Sequence, residues 1–564
     1  MLFSVVSSKF FRTIQLFLNP NRNAVSTTTQ QSLNHTNAFR RHFRKMPFHQ
    51  SASTLSPPQR TAILDLGSNS ARVIVMNART GFSFHLEDEI REIVRLREGI
   101  TSEGLSEAAM TRGLFTLRLF KQFCDSLKVD SIIATATSAV REAANGAAFL
   151  ERVERETGLL LRILEGDEEA YYGVLGALGA VPLQNGVVVD IGGGSAQVSQ
   201  VQENRFARGQ ALTLGALALT QRFVRSDPIK KSEIKAVQSE IERQLDTVEW
   251  LGGARGPLVG LGGTIRNLAK IEAARQKFPL QSINGMRLSL AALDETIRQL
   301  SEFPLAQRRR IPGLVRDRAD IILPGALVIR AVLARLNASE LLISEAGLRE
   351  GLFFEQFWRD LPYPVVPDLR AWSIVNLARF YGYQEAHAAH VAHLSGRLFD
   401  QLAPLHGYGN AEREWLAAAA LLHDIGTLIS YNDHHKHSQT LIINSGLPGY
   451  SPREVALIAL ITRYHRKGAP VAGPFAALLE EGDEMRLQKL AAILRLAEYL
   501  ERGRSGIVRD VLVRFNAKEI HISLVTEENP VVELWVARKN GADLMETAFG
   551  RKIELESATA NLAA

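Results

Sequence analysis

Two aspartates, each closing an apolar run and each followed by a glycine turn, are the first groups in this 564-residue sequence that could do chemistry. Asp65-Leu-Gly-Ser-Asn-Ser-Ala-Arg-Val and Asp190-Ile-Gly-Gly-Gly-Ser-Ala-Gln-Val share Asp, Gly, Ser, Ala and Val at equal offsets, 125 residues apart. Glycines let backbone N–H groups approach phosphate oxygens closely. In the first copy Ser68, Asn69 and Ser70 add hydroxyl and amide donors; in the second, Ser195 follows Gly192, Gly193 and Gly194. Asp65 and Asp190, at strand ends, can hold Mg²⁺ directly or through water. A third turn, Gly260-Leu-Gly-Gly-Thr-Ile-Arg, offers Gly262 and Gly263 either to a nucleoside or further phosphates, or to an ordinary strand–helix junction.

A second concentration of chemistry lies downstream. Nine of the 14 histidines fall between His387 and His465, where even spacing would place about two. Such clustering points to metal or phosphate chemistry. Leu421-Leu-His-Asp-Ile-Gly426 closes an apolar helix with His423 beside Asp424; His387 sits 36 residues earlier on another helix, and Glu498 about 75 residues later. Neutral imidazoles with a carboxylate suit a divalent metal that activates water. His434-His-Lys-His437 and Arg463-Tyr-His-Arg-Lys467 form either a basic lip for a polyanion or a solvated charged face. The single cysteine, Cys124, excludes an internal disulfide framework and a Cys-based zinc site.

Elements must hold these groups in place. Short apolar strands are expected at Thr61–Leu66, Arg72–Met76, Ser131–Thr137, Leu159–Leu164, Gly186–Ile191, Leu258–Gly263 and Glu340–Ser344, with helices between them, which is an α/β pattern. Pro362–Pro367 reads as a linker. An Ala/Leu-rich helical region follows to about Arg504, then strands such as Ile520–Leu524 and Val531–Val536. The expected division is a leader (1–60), two α/β domains (61–180 and 181–360), a helical domain (361–506) and a small α/β tail (507–564). The leader carries eight bases and no acid; the first carboxylate is Asp65. Removing those eight leaves 58 bases against 60 acids, so the net +6 belongs to the leader and gives no reason to expect nucleic-acid binding. The leader reads either as a mitochondrial transit peptide or as an upstream extension of a chain starting at Met46. No 18-residue apolar stretch free of charge appears, so no membrane span is expected.

Taken together, Asp65-Leu-Gly-Ser-Asn-Ser, Ala134-Thr-Ala-Thr-Ser-Ala-Val-Arg141, Gly166-Asp-Glu-Glu-Ala-Tyr171, Asp190-Ile-Gly-Gly-Gly-Ser195, Gly260-Leu-Gly-Gly-Thr264, Arg318-Ala-Asp-Ile-Ile and Glu345-Ala-Gly-Leu-Arg-Glu-Gly resemble the exopolyphosphatase/guanosine pentaphosphate phosphatase family of the actin superfamily. The resemblance spans about residues 61–355. It implies duplicated actin-like (ribonuclease-H-like) domains around a central cleft. It also implies Mg²⁺-assisted removal of a terminal phosphate by water, from inorganic polyphosphate or the 5′ end of guanosine pentaphosphate. By position Glu169 matches the catalytic glutamate. Asn69, Gly192, Gly193 and Ser195 match phosphate-binding positions, Arg141 a phosphate-contacting arginine, and Asp190 the carboxylate near the metal.

One departure bears on activity. The family pattern continues Ser-Thr-Glu, whereas this chain has Ser195-Ala196-Gln197. Gln197 can hold a water but cannot take its proton, and loss of a general base typically costs about 10²–10⁴-fold. A catalyst relying on Glu169 is the leading expectation, a non-catalytic sensor the alternative. Residues of about 370–505 resemble an HD-type phosphohydrolase domain, matching at His387, His423 and Asp424, with Glu498 where the last ligand is Asp. His435 and His465 fall where further ligands or phosphate contacts occur. That region is expected either to hold Mn²⁺ or another divalent metal as a nucleotide phosphohydrolase, or to bind polyphosphate without metal. The resemblance further implies a homodimer with no nucleic-acid or membrane partner, cytoplasmic unless the leader is a genuine transit peptide.

Overall fold

The computed structural model describes residues 57–557, so most of the leader and the last seven residues lie outside it. The first strand, β1 (Gln59–Leu66), starts two residues before the expected position. Ala62, Ile63, Leu64 and Leu66 are fully buried, as a central strand covered on both faces requires. Its neighbours are β2 (Ser70–Arg79), β3 (Ser83–Ile93), β4 (Ser131–Ala136) and β5 (Leu161–Ile163), in the order β3-β2-β1-β4-β5. β3 was not foreseen, because Ser83–Ile93 is charged and sits at the sheet edge. The second sheet contains β6 (Gly186–Ile191), β7 (Ala196–Gln202), β8 (Arg205–Leu212), β9 (Leu258–Leu261), β10 (Arg287–Ser289) and β11 (Glu340–Ile343), ordered β10-β11-β9-β6-β7-β8.

Over five strands the two sheets have the same order and the same sense of pairing: two antiparallel neighbours on one side of the central strand, two parallel on the other. Even the register agrees, since Asp65 faces Arg72 and Asp190 faces Gln197 across the hairpins. Helices Glu107–Ser126 and Gly146–Thr157 pack on the first sheet. Helices Lys231–Leu245, Gly262–Arg275, Leu290–Glu302 and Ile322–Arg335 pack on the second.

Helices Gly166–Leu178 and Leu348–Phe357 cross between the two sheets. They touch through glycines: a Cβ on Gly351 would stand 1.9 Å from the Tyr172 carbonyl oxygen, and one on Gly176 would stand 2.1 Å from that of Gly347. Just beyond the first of these helices, the Ala180 carbonyl accepts hydrogen bonds from Gly449 N–H and the Asn284 amide, both at 2.9 Å.

The rest of the chain is helical, with helices Leu369–Phe380, Glu385–Gln401, Asn410–Leu422, His434–Ser445, Pro452–Arg463 and Asp483–Leu500. β12 (Val508–Phe515), β13 (Glu519–Thr526) and β14 (Lys552–Ser557) make the third sheet. Val531–Val536, expected as a strand, lies in helix Val531–Asn540, which follows Pro530 and buries Glu533, Val536 and Ala537 at helical spacing. The tail's strands and the helices contribute to one hydrophobic core. Phe84, near the tip of the β2–β3 hairpin, packs among Phe353, Phe357, Trp358 and Trp372. Asn376 brackets it, accepting from Phe84 N–H and donating to its carbonyl. No helix among the described residues is long and apolar enough to cross a membrane.

Candidate functional site

The matched glycine turns meet face to face. A Cβ on Gly193 would stand 2.9 Å from Asn69 Cβ, and one on Gly194 would stand 2.6 Å from Ser68 Oγ, which itself lies 2.8 Å from Ser138 Oγ. Between them is a cavity of about 120 Å³. Asp65, Ser68, Asn69, Ser70, Glu169, Asp190, Gly192, Gly193, Ser195, Gln197, Gly262 and Gly263 all line it. Gly194 is instead packed against Ser68 and Ser138. The third turn thus belongs to the same site, and Gly262, at φ +86°, opens the helix there.

Glu169 sits in the first turn of helix Gly166–Leu178, after Asp167 and Glu168, where carboxylates complement the helix dipole. Its carboxylate is buried. Arg141 forms an ion pair with one oxygen, and Gln197 Nε2 donates to the other at 3.1 Å and to Ser195 Oγ at 2.9 Å. Arg141, expected at phosphate, engages the Leu164 carbonyl and Glu169, which lines the cavity. Burial, opposed by Arg141 and reinforced by Asp65 and Asp190, pushes Glu169 up to about 7. Burial also raises Asp190, to about 6, against the pull of Arg266, and raises Asp65 against Arg349 and Arg72.

Sequence reasoning gave no role to four other arginines. Arg72, Arg266, Arg318 and Arg349 line the cavity, with Arg91 behind them. Burial, then the charges of Arg266, Arg349, Arg91 and Arg318, lowers Arg72 to about 8. Burial and Arg91 lower Arg318 to about 9, and burial and Arg349 lower Arg266. Arg91 Nε and Nη2, Arg318 Nε, Arg349 Nε and both side-chain polar atoms of Asn69 are buried without hydrogen-bond partners. Asp65, Glu169, Asp190, Glu345 and Glu350 line the same cavity, so cationic and anionic groups face one space.

The helical half builds a different centre. His387 Nε2 and His423 Nε2 lie 3.2 Å apart, and 3.2 and 3.1 Å from Glu498 Oε2, so the longer glutamate reaches the position. His434 Nε2 and His465 Nε2 are also 3.2 Å apart, and lie 3.0 and 3.8 Å from Asp424 Oδ1. Asp424 belongs to both groups. His423, His434 and His465 each place Nδ1 2.7–2.8 Å from the carbonyl three residues back, at Ala420, Tyr431 and Thr462. A carbonyl can only accept, so Nδ1 carries a proton, and each ring, when neutral, presents its lone pair at Nε2. Burial opposes charge on His423, but Asp424 and Glu498 hold it up, at about 9. Burial and the charge of His423 drive His465 down to about 3. His435, expected as a further ligand or phosphate contact, is buried without hydrogen bonds to its ring nitrogens and lies outside both groups, one of which includes its neighbour His434.

Two family models match this chain: that of the Ppx/GppA phosphatase family over residues 74–359, and that of Ppx/GppA phosphatase domain III over residues 369–536. The chain belongs to the Ppx/GppA phosphatase family. Among solved structures it is similar to an exopolyphosphatase from Cytophaga hutchinsonii, at 26% identity over 53% of this chain and 98% of that one, with a TM-score of 0.50. A PPX-GPPA enzyme from Aquifex aeolicus is 30% identical over 53% of this chain and 99% of its own, with a TM-score of 0.45. The protein is thus a phosphatase of this family, with an α/β half of actin-like type and a helical half corresponding to domain III.

Proposed function

We propose that the interdomain cleft releases terminal phosphate from inorganic polyphosphate, and acts in the same way on the 5′ end of guanosine pentaphosphate. The observation that carries this is the convergence of four arginines, two of them buried, and three glycine turns on one small cavity beside Glu169. Both substrates present several adjacent negative charges, which this array neutralises, whereas a monoester presents fewer. The likeness in sheet order and register supports a duplicated origin of the two halves. Water attacks the terminal phosphorus, the P–O bond to the penultimate phosphate breaks, and the water proton passes to Glu169. The products are orthophosphate and a chain one unit shorter. Gln197 holds Glu169 in place and cannot take the proton itself. Catalysis of phosphoryl transfer is mainly positioning and charge neutralisation.

The residues fit Mg²⁺: Asp65 Oδ1 is buried without a partner, and Asp65 and Asp190 line the cavity as hard oxygen donors. Bound there, the ion would neutralise carboxylate and phosphate charge. The test is phosphate release from long-chain polyphosphate, guanosine pentaphosphate and ATP in parallel, with and without Mg²⁺, against a Glu169→Ala control. Release no higher than the control sinks the catalytic reading; tight binding without release supports the sensor.

The helical half supports a second reading, an HD-type, metal-dependent nucleotide phosphohydrolase. The three anchored imidazoles, with His387, Asp424 and Glu498, favour it, and the sharing of Asp424 by two groups matches a pair of ions. Metal analysis of protein equilibrated with Mn²⁺, compared with His423→Ala, tests it. Equal metal content in both rejects it.

A further inference from the structure

The mouth of the histidine centre is unlike the cleft. Leu428, Ile429 and Tyr431 follow closely on Asp424 and are 66, 56 and 53% exposed. Inorganic polyphosphate has nothing to offer an apolar side chain, so this rim is not explained by a bare phosphate chain. The Tyr431 ring centroid lies 5.6 Å from that of His434. The Arg466 guanidinium carbon is 5.3 Å from the Tyr431 centroid, and Arg502 Nη2 donates to the Tyr431 hydroxyl at 2.8 Å. Arg502 also lies 3.8 Å from Glu498, and Arg504 Nη2 donates to Asp424 Oδ2 at 2.6 Å from a left-handed backbone position, φ +53°. A half-exposed tyrosine with Arg466 over its ring, and two further guanidinium groups set against Glu498 and Asp424, are therefore gathered within one side chain of the candidate metal ligands. A basic rim alone would fit any anion; the aromatic and aliphatic neighbours select one that carries a planar apolar part.

We propose that this mouth is a nucleoside-phosphate subsite. The base stacks on Tyr431 beside Leu428, Arg466 and Arg502 hold the phosphate, and Arg504 closes the path at Asp424. The inference rests on the metal-dependent reading of the helical half.

Its test uses full-length protein loaded with Co²⁺, whose visible absorption is read as the difference from that of His423→Ala, so that only the histidine centre's share is followed. The band is followed during titration with guanosine monophosphate and, separately, with inorganic tripolyphosphate. Guanosine monophosphate is expected to perturb it saturably. Tyr431→Ala, a change at an exposed side chain, should weaken that binding about tenfold, the scale of one lost base–aromatic stack. Arg502→Ala should weaken it as well. Tripolyphosphate, lacking a base, should bind equally to wild type and Tyr431→Ala. An unperturbed band with guanosine monophosphate, or identical affinity in Tyr431→Ala, overturns the subsite while leaving the metal reading intact. A wild-type spectrum no different from that of His423→Ala overturns the metal reading and the subsite with it.

Discussion

The cleft and the histidine centre are built from different charged groups. The cleft gathers guanidinium groups whose burial, reinforced by neighbouring arginines, lowers Arg72 to about 8 and Arg318 to about 9, beside carboxylates that burial raises. The histidine centre instead gathers imidazoles around two buried carboxylates, Asp424 and Glu498. The chain minus its first 64 residues is nearly neutral, at 58 bases to 60 acids. Local placement therefore decides what each region binds, and bulk charge decides nothing.

The largest effect separating the two regions is expected from Glu169→Ala. It should reduce polyphosphate hydrolysis by about 10²–10⁴-fold in a phosphate-release assay and leave metal content unchanged. Next, Asp424→Asn removes the carboxylate common to both histidine groups. Mn²⁺ affinity by calorimetry should fall at least about 10–100-fold, while polyphosphate hydrolysis keeps its wild-type rate; parallel loss of both would break the separation. Third, Arg318→Met removes one crowded cation. The KM for polyphosphate should rise about tenfold or more, while the ligand-free protein melts at the same temperature or a few degrees higher.

The smallest effect is a pH shift. Glu169 works ionised, and its pKa near 7 places the acid limb of kcat/KM there, activity rising as pH rises through it. Gln197→Glu would set a second carboxylate where an amide now donates at 3.1 Å. The limb should move about one unit alkaline, and an unmoved limb would show that another group controls it.

The Asp-Gly turns were legible because strand, turn and strand follow one another in the chain, and their equal offsets survive as equal registers in the two sheets. Glu169 and the His423–Asp424 pair were legible as local motifs. The arginine array was not: Arg72, Arg266, Arg318 and Arg349 come from four separated segments, and only the fold brings them together. Nor could the sequence choose between His434 and His435, because adjacent residues point about 100° apart on a helix and the choice depends on how helix His434–Ser445 is rotated. The strand expected at Val531–Val536 failed because a short apolar run fits either period, and the core beneath it selects the helical one.

Helix Gly166–Leu178 carries Glu169 in its first turn and is tethered just past its last, where Ala180 meets Gly449 and Asn284. Thirteen residues make a rod about 20 Å long. Geometrically it is a lever: a tilt of about 5° at the foot moves the head by roughly 1.7 Å, and a displacement of about 1 Å is enough to cost on the order of a hundredfold in rate. Two hydrogen bonds on one carbonyl, at the far end of the rod, therefore join the Arg141 and Gln197 contacts in fixing where the Glu169 carboxylate stands.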